Sequence, residues 1–131
     1  MERRQLARQL SAIENGELQV EKADGLIVAI TGAPGVGKSC LVDGILHRLA
    51  PEHSVAVLAV DPTSPLSGGA LLGDRIRLSV LDDATKSESI YVRSIATRSS
   101  SGSIPSIVKD LANHLLANSF DLVIIETVGA G

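Results

Sequence analysis

Short apolar runs alternate along this chain with stretches of helical periodicity, and that alternation predicts its architecture. Leu26-Ile27-Val28-Ala29-Ile30, Val55-Ala56-Val57-Leu58-Ala59-Val60 and Leu122-Val123-Ile124-Ile125 are continuous apolar segments of strand length. Such runs suit strands covered on both faces of a parallel sheet. Ile90-Tyr91-Val92-Arg93 is a shorter β-prone run. Between them, Leu41, Ile45 and Leu49 recur at helical spacing, with Pro51 beyond as a stop, and Ile104, Val108, Leu111 and Leu115 form another stripe. Ser103 is placed to cap that last helix, with Pro105 in its first turn. A further helix is expected over 74–81. Before the first strand, Leu6, Leu10 and Ile13 define a helix that Asn15-Gly16 would end and that would pack outside the sheet. Its arginines, Arg3, Arg4 and Arg8, read as a solvated face. Strands alternating with helices mean an α/β domain with a mostly parallel sheet flanked by helices. The division expected is an N-terminal helix and connector over 1–25, then the α/β domain itself over 26–131.

Composition narrows the class. A net charge of −3 gives no basic field for nucleic acid or for an anionic membrane. No apolar run approaches membrane-spanning length, and Met1-Glu2-Arg3-Arg4 is not followed by a signal core, so a cytoplasmic protein is expected, or an organellar one. The single cysteine, Cys40, cannot form an internal disulfide and reads as a buried packing thiol. Tyr91 and Phe120 are the only aromatic residues, so the core must be aliphatic.

The chemistry concentrates between the first strand and the helix after it. Gly32-Ala33-Pro34-Gly35-Val36-Gly37-Lys38-Ser39 has the form G-x-x-x-x-G-K-[ST], the Walker A phosphate-binding loop. Its glycines let successive backbone N–H groups turn inward onto phosphate oxygens. Lys38 would place a cation on the β and γ phosphates, Ser39 a hydroxyl on Mg²⁺, and the following helix its positive end. Cys40 directly follows and counts with the loop.

Phosphoryl chemistry also needs carboxylates near the metal. Asp61, at the tip of the second strand, and Glu126, after the four apolar residues of the last, fall where ligands gather in open α/β sheets. Asp74 would reach the site if the long Ser-, Pro- and Gly-rich stretch over 62–73 folds back. The candidates are thus Lys38, Asp61, Asp74 and Glu126 for catalysis, and Ser39, Asp61 and Glu126 for metal. The loop residues together with Gly129 would bind nucleotide, Gly129 letting the backbone approach the γ phosphate. Arg75, Arg77 and Arg98 could serve as transition-state cations, though a surface role fits each at least as well. His47, His53 and His114 show no metal-ligand spacing and no Ser-His-Asp set can be argued, so all three read as structural.

Several stretches follow one another in a specific order: the phosphate loop; Val57-Leu58-Ala59-Val60-Asp61-Pro62-Thr63-Ser64-Pro65; Gly68-Gly69-Ala70-Leu71-Leu72-Gly73-Asp74-Arg75-Ile76-Arg77; Arg93-Ser94 with Ala96-Thr97-Arg98; and Glu126-Thr127-Val128-Gly129. In this the chain resembles the P-loop GTPases that act as chaperones of methylmalonyl-CoA mutase, a family also labelled as arginine/ornithine (LAO/AO) transport-system kinases. The resemblance implies GTP hydrolysis with Mg²⁺ and a protein partner, an adenosylcobalamin-dependent mutase whose cofactor loading the GTPase gates. It places Asp61 and Asp74 on the family's metal and switch acids, and Glu126 on the strand-end acid that opens the second switch.

The chain departs from that pattern in definite ways. The family's Asn-Lys-x-Asp guanine-reading motif, later strands and C-terminal dimerisation arm are absent. Ser99-Ser100-Ser101-Gly102-Ser103 stands for a glycine-rich loop, Cys40 for threonine and Ala130 for valine. These departures predict a truncated product with an exposed apolar sheet edge beside the last strand, and they leave guanine and adenine undistinguished. Two other readings stay open: an ATP-using kinase linked to amino-acid transport, and a nucleotide-binding remnant without turnover.

Overall fold

The computed structural model of the chain describes residues 2–32, 38–61, 79–96 and 104–128. In order these form α1 (Arg3–Glu14), β1 (Leu26–Gly32), α2 (Lys38–Leu49), β2 (Val55–Asp61), a 3₁₀ turn (Ser79–Asp82), α3 (Ala84–Ser87), β3 (Ile90–Ala96), α4 (Ser106–Ala117) and β4 (Leu122–Val128). The strands make one sheet in the order β1-β4-β2-β3, and every pairing is parallel. The α/β architecture read from the apolar runs is therefore the one observed.

Two apolar layers sandwich the sheet. On one face α1 (Leu6, Leu10, Ile13) and α4 (Val108, Leu111, Leu115) bury against Ala56, Leu58 and Val60 of β2 and Val123 and Ile125 of β4. On the other, α2 and the 3₁₀ turn bring Val42, Leu46 and Val80 onto Val55, Val57 and Ile124. The N-terminal helix thus packs outside the sheet, as its stripe predicts. It ends at Asn15-Gly16: Gly16 has φ +76°, its N–H bonds Ile13 O, and the Glu17 N–H bonds Ala12 O at 2.8 Å. Arg93 on β3 pins α1 to the sheet edge through Glu14 (2.9 Å) and Ser11 (3.0 Å).

Several expectations are corrected. The buried stripe of α2 is Val42, Leu46 and Ala50, one residue along from the pattern chosen; Leu41 is 55% exposed, with Ile45 and Leu49 partly buried. Cys40 is exposed rather than buried, because it lies about 200° around the helix from Val42. Pro105 itself occupies the N-cap of α4, so Ile104 precedes the helix, and Ser103 lies outside the described residues. The helical turn near 80 is Ser79–Asp82; residues 74–78 lie outside the described set. Arg3, Arg4 and Arg8 are exposed, as the solvated-face reading expects; Arg3 in addition donates to Glu88 O at 2.7 Å and sits over the Tyr91 ring, 5.2 Å from its centroid.

The open sheet edge is also differently placed. β4 is interior, between β1 and β2, and the apolar edge belongs to β1, where Leu26 is 60% exposed. An apolar run alone cannot separate an interior strand from an edge strand, since topology decides which backbone is covered.

One helix contact yields a pH prediction. His114 Nε2 pairs with Gln9 Oε1 at 2.6 Å between α4 and α1, and burial lowers the His114 pKa. A histidine with a depressed folded pKa favours folding when neutral. Its contribution is fully present above the unfolded value of about 6.5 and is lost as pH falls through the folded value. Thermal melts of wild type and His114→Gln should therefore converge, or reverse order, as pH is lowered from 7.5 to 5.5; a constant gap would remove His114 from the acid response.

Candidate functional site

Because all four strands run parallel, their carboxyl ends share one edge of the sheet. Gly32 closes β1 and pairs with Val128 of β4. Asp61 closes β2, one residue beyond the Val60–Thr127 pair, so it lies level with Val128 across the sheet. One strand separates Gly32 from Asp61, a backbone spacing of about 10 Å. α2 opens at Lys38, directly followed by Ser39, on the face that carries Val55, Val57 and Ile124. Gly32, the start of α2 and Asp61 are thereby gathered at one end of one face, for the reason anticipated: parallel topology collects strand ends.

Glu126 sits differently from the expectation. β4 does not stop at Ile125 but continues to Val128, so Glu126 lies within the strand, paired with Ile30 and Ala59. That sets it about 7 Å back from the strand end. Strand alternation settles its face: Val123 and Ile125 point into the α1/α4 layer and Ile124 into the α2 layer, so Glu126, half-buried, belongs to the α2 side. Ala33, Pro34, Gly35, Val36, Gly37, Asp74 and Gly129, together with Arg75, Arg77 and Arg98, lie outside the described residues. Cys40, exposed two residues into α2, is within the described set beside them.

The sequence reading missed a polar cluster one turn further along α2. Asp43 accepts hydrogen bonds from the Ser79 hydroxyl (2.5 Å) and the Val80 N–H (2.9 Å). His47 Nε2 lies 2.9 Å from the same hydroxyl, and Lys86 Nζ lies 3.4 Å from His47 Nδ1. Desolvation works to raise the Asp43 pKa, but Ser79, Val80 and the neighbouring His47 together carry it below the ordinary carboxylate value. The i,i+4 pair Asp43/His47 was a legible helix signal; Ser79, 36 residues away, was not.

A four-stranded parallel sheet with helices on both faces, and a helix opening at Lys38 behind a glycine-rich stretch, is the N-terminal part of a P-loop NTPase fold. The sequence model of the family described as methylmalonyl Co-A mutase-associated GTPase MeaB matches residues 3–131, and the chain belongs to that family. Among its relatives is a fused isobutyryl-CoA mutase of Paraburkholderia xenovorans, 38% identical over 142 residues, covering 98% of this chain and 11% of the mutase. A protein of Pyrococcus abyssi named as a GTPase is 39% identical over 140 residues, covering 99% of this chain and 42% of the relative. Another so named, from Mycobacterium bovis, is 40% identical over 105 residues, covering 79% of this chain and 30% of its own length. The chain thus spans less than half the length of these relatives. Among the described residues no helix is long and apolar enough to cross a membrane.

Proposed function

We propose that this chain binds GTP and GDP with Mg²⁺ at the carboxyl edge of its sheet and hydrolyses GTP. We further propose that it serves as a GTPase chaperone gating cofactor loading and protection of an adenosylcobalamin-dependent mutase; the description of its family as a mutase-associated GTPase supports a mutase as partner. The observation that carries the reading is the convergence of Gly32, the Lys38 start of α2 and Asp61 at one end of one sheet face, with Glu126 two residues back on the same face. The relative named as a fused isobutyryl-CoA mutase, part of which matches 98% of this chain, also supports a mutase as partner.

In this reading the backbone N–H groups from Gly32 to Gly37 wrap the phosphates, and Lys38 neutralises charge on the β and γ groups. Ser39 and Asp61 supply hydroxyl and carboxylate oxygens, the hard donors that suit Mg²⁺, and Glu126, on the α2 side of β4, joins them directly or through water. When bound, the ion neutralises charge that develops on the phosphate oxygens during transfer. Asp74 and Gly129 respond to the γ phosphate, and Glu126 orients water from the α2 side. Cys40, exposed at the first turn, borders the nucleotide without supplying a ligand.

Phosphate release from GTP, with Mg²⁺ and with EDTA, tests turnover. Glu126→Gln should lower the single-turnover rate by about tenfold or more while GDP affinity stays within about threefold, the pattern of a group acting in the transition state. A wild-type chain that binds GTP yet releases phosphate no faster than buffer would refute hydrolysis.

A further inference from the structure

The Asp43 cluster has a direction. An ammonium only donates, so Lys86 makes His47 Nδ1 the acceptor and leaves the neutral ring's proton on Nε2. Nε2 then donates to Ser79 Oγ, and the Ser79 proton goes to Asp43. His47 is therefore a donor toward Ser79 and not its base, so the pair is not a Ser-His catalytic couple. Nor is this a metal centre, since among the described residues no three His, Cys, Asp or Glu side chains gather.

The chain of bonds is a clamp between α2 and the segment ahead of β3. The 3₁₀ turn and α3 have four residues each, too few internal bonds to hold themselves. They are held by Asp43 at the Val80 N–H, by fully buried Val80 against Val42 and Leu46, and by Lys86, which also donates to His47 O at 3.2 Å. The clamp acts equally on α2. Cys40 and Leu41 are exposed, and among the α2 residues whose burial is described the first that is buried is Val42, next to Asp43. The opening turn with Lys38 and Ser39 lies immediately before that point.

We infer that Asp43 is a positioning residue for nucleotide binding: through Ser79 and Val80 it fixes α2, and so the place from which Lys38 and Ser39 meet the phosphates. This rests on the nucleotide reading above. Small misplacements of binding groups carry large penalties, so the effect should appear in affinity as well as in stability.

The test is equilibrium binding of a fluorescent GDP to the 131-residue chain, in Mg²⁺ and in EDTA, well below each variant's melting temperature. Asp43→Ala should raise Kd by about tenfold, equivalent to about 1.4 kcal/mol. Asp43→Asn, whose carboxamide still accepts from Val80 and still pairs with Ser79, should stay within about threefold of wild type. Ser79→Ala, a milder change should Asp43→Ala fail to fold, should raise Kd by about threefold, since it removes the hydroxyl link but leaves Asp43 its hydrogen bond from the Val80 N–H. A lowered melting temperature with unchanged Kd in Asp43→Ala or Ser79→Ala would make the clamp purely structural and overturn the inference. So would Asp43→Asn behaving as badly as Asp43→Ala. A wild-type chain that binds no GDP would overturn the nucleotide reading itself, and this inference with it.

Discussion

Lys38→Ala should abolish most nucleotide affinity, raising the Kd for GDP and GTP by about a hundredfold or more. Charge-assisted hydrogen bonds to phosphate contribute roughly 1.5–3 kcal/mol each, and a hundredfold corresponds to about 2.7 kcal/mol. The loss should be confined to binding. α2 is anchored by Val42, Leu46 and Ala50, whereas Lys38 stands at its first position, one turn before the first of them. The melting temperature without nucleotide should therefore move by no more than a degree or two. Titration calorimetry on the variant is the check, and retained affinity in a folded Lys38→Ala protein would move the phosphate site away from this loop.

Leu58→Ala should be the most damaging core substitution for the sheet. Leu58 is fully buried in β2, which is interior between β4 and β3, and it packs in the layer with α1 and α4. Truncation of a buried leucine typically costs about 3 kcal/mol, including the cavity left behind. For a domain of this size that lowers the melting temperature by about 10 °C. The damage also reaches the site, because Asp61 closes the same strand three residues later. Leu26→Ala is the matched comparison: Leu26 is 60% exposed on the β1 edge and should cost well under about 1 kcal/mol. Equal losses from the two would contradict the strand order, since only that order makes one leucine interior and the other peripheral.

What the sequence disclosed was set by local physics. Aliphatic runs of strand length mark strands whichever partners they take, so all four were found, β3 from its first four residues. Asn15-Gly16 ended α1 because the αL position needs glycine. Strand order is non-local, and the run at Leu26 reads the same whether neighbours cover it or not; the edge was accordingly assigned beside the wrong strand. The α2 stripe failed for a different reason. Leu41, Val42, Ile45, Leu46, Leu49 and Ala50 offer two adjacent apolar stripes, and packing chose the one with the smaller residues at its ends. At the candidate site, the place of Gly32, the α2 start at Lys38 and Asp61 at one end of the sheet was legible because a loop motif and strand ends are sequence-local features. Glu126 was expected at the end of its strand but lies within it, since a polar residue in an apolar run looks like an ending even when pairing continues through it. The link from Asp43 to Ser79 spans 36 residues and has no sequence signature.

The central claim is a nucleotide site at the carboxyl edge of the sheet. Its most direct test is a fluorescence titration of the purified chain with labelled GDP, with and without Mg²⁺, followed by competition with unlabelled GTP and ATP. The account predicts saturable binding that Mg²⁺ strengthens and that GTP displaces more effectively than ATP. Equal displacement by both would keep the phosphate site and remove the guanine preference. No binding by a chain whose circular dichroism shows it folded would contradict the account at its centre.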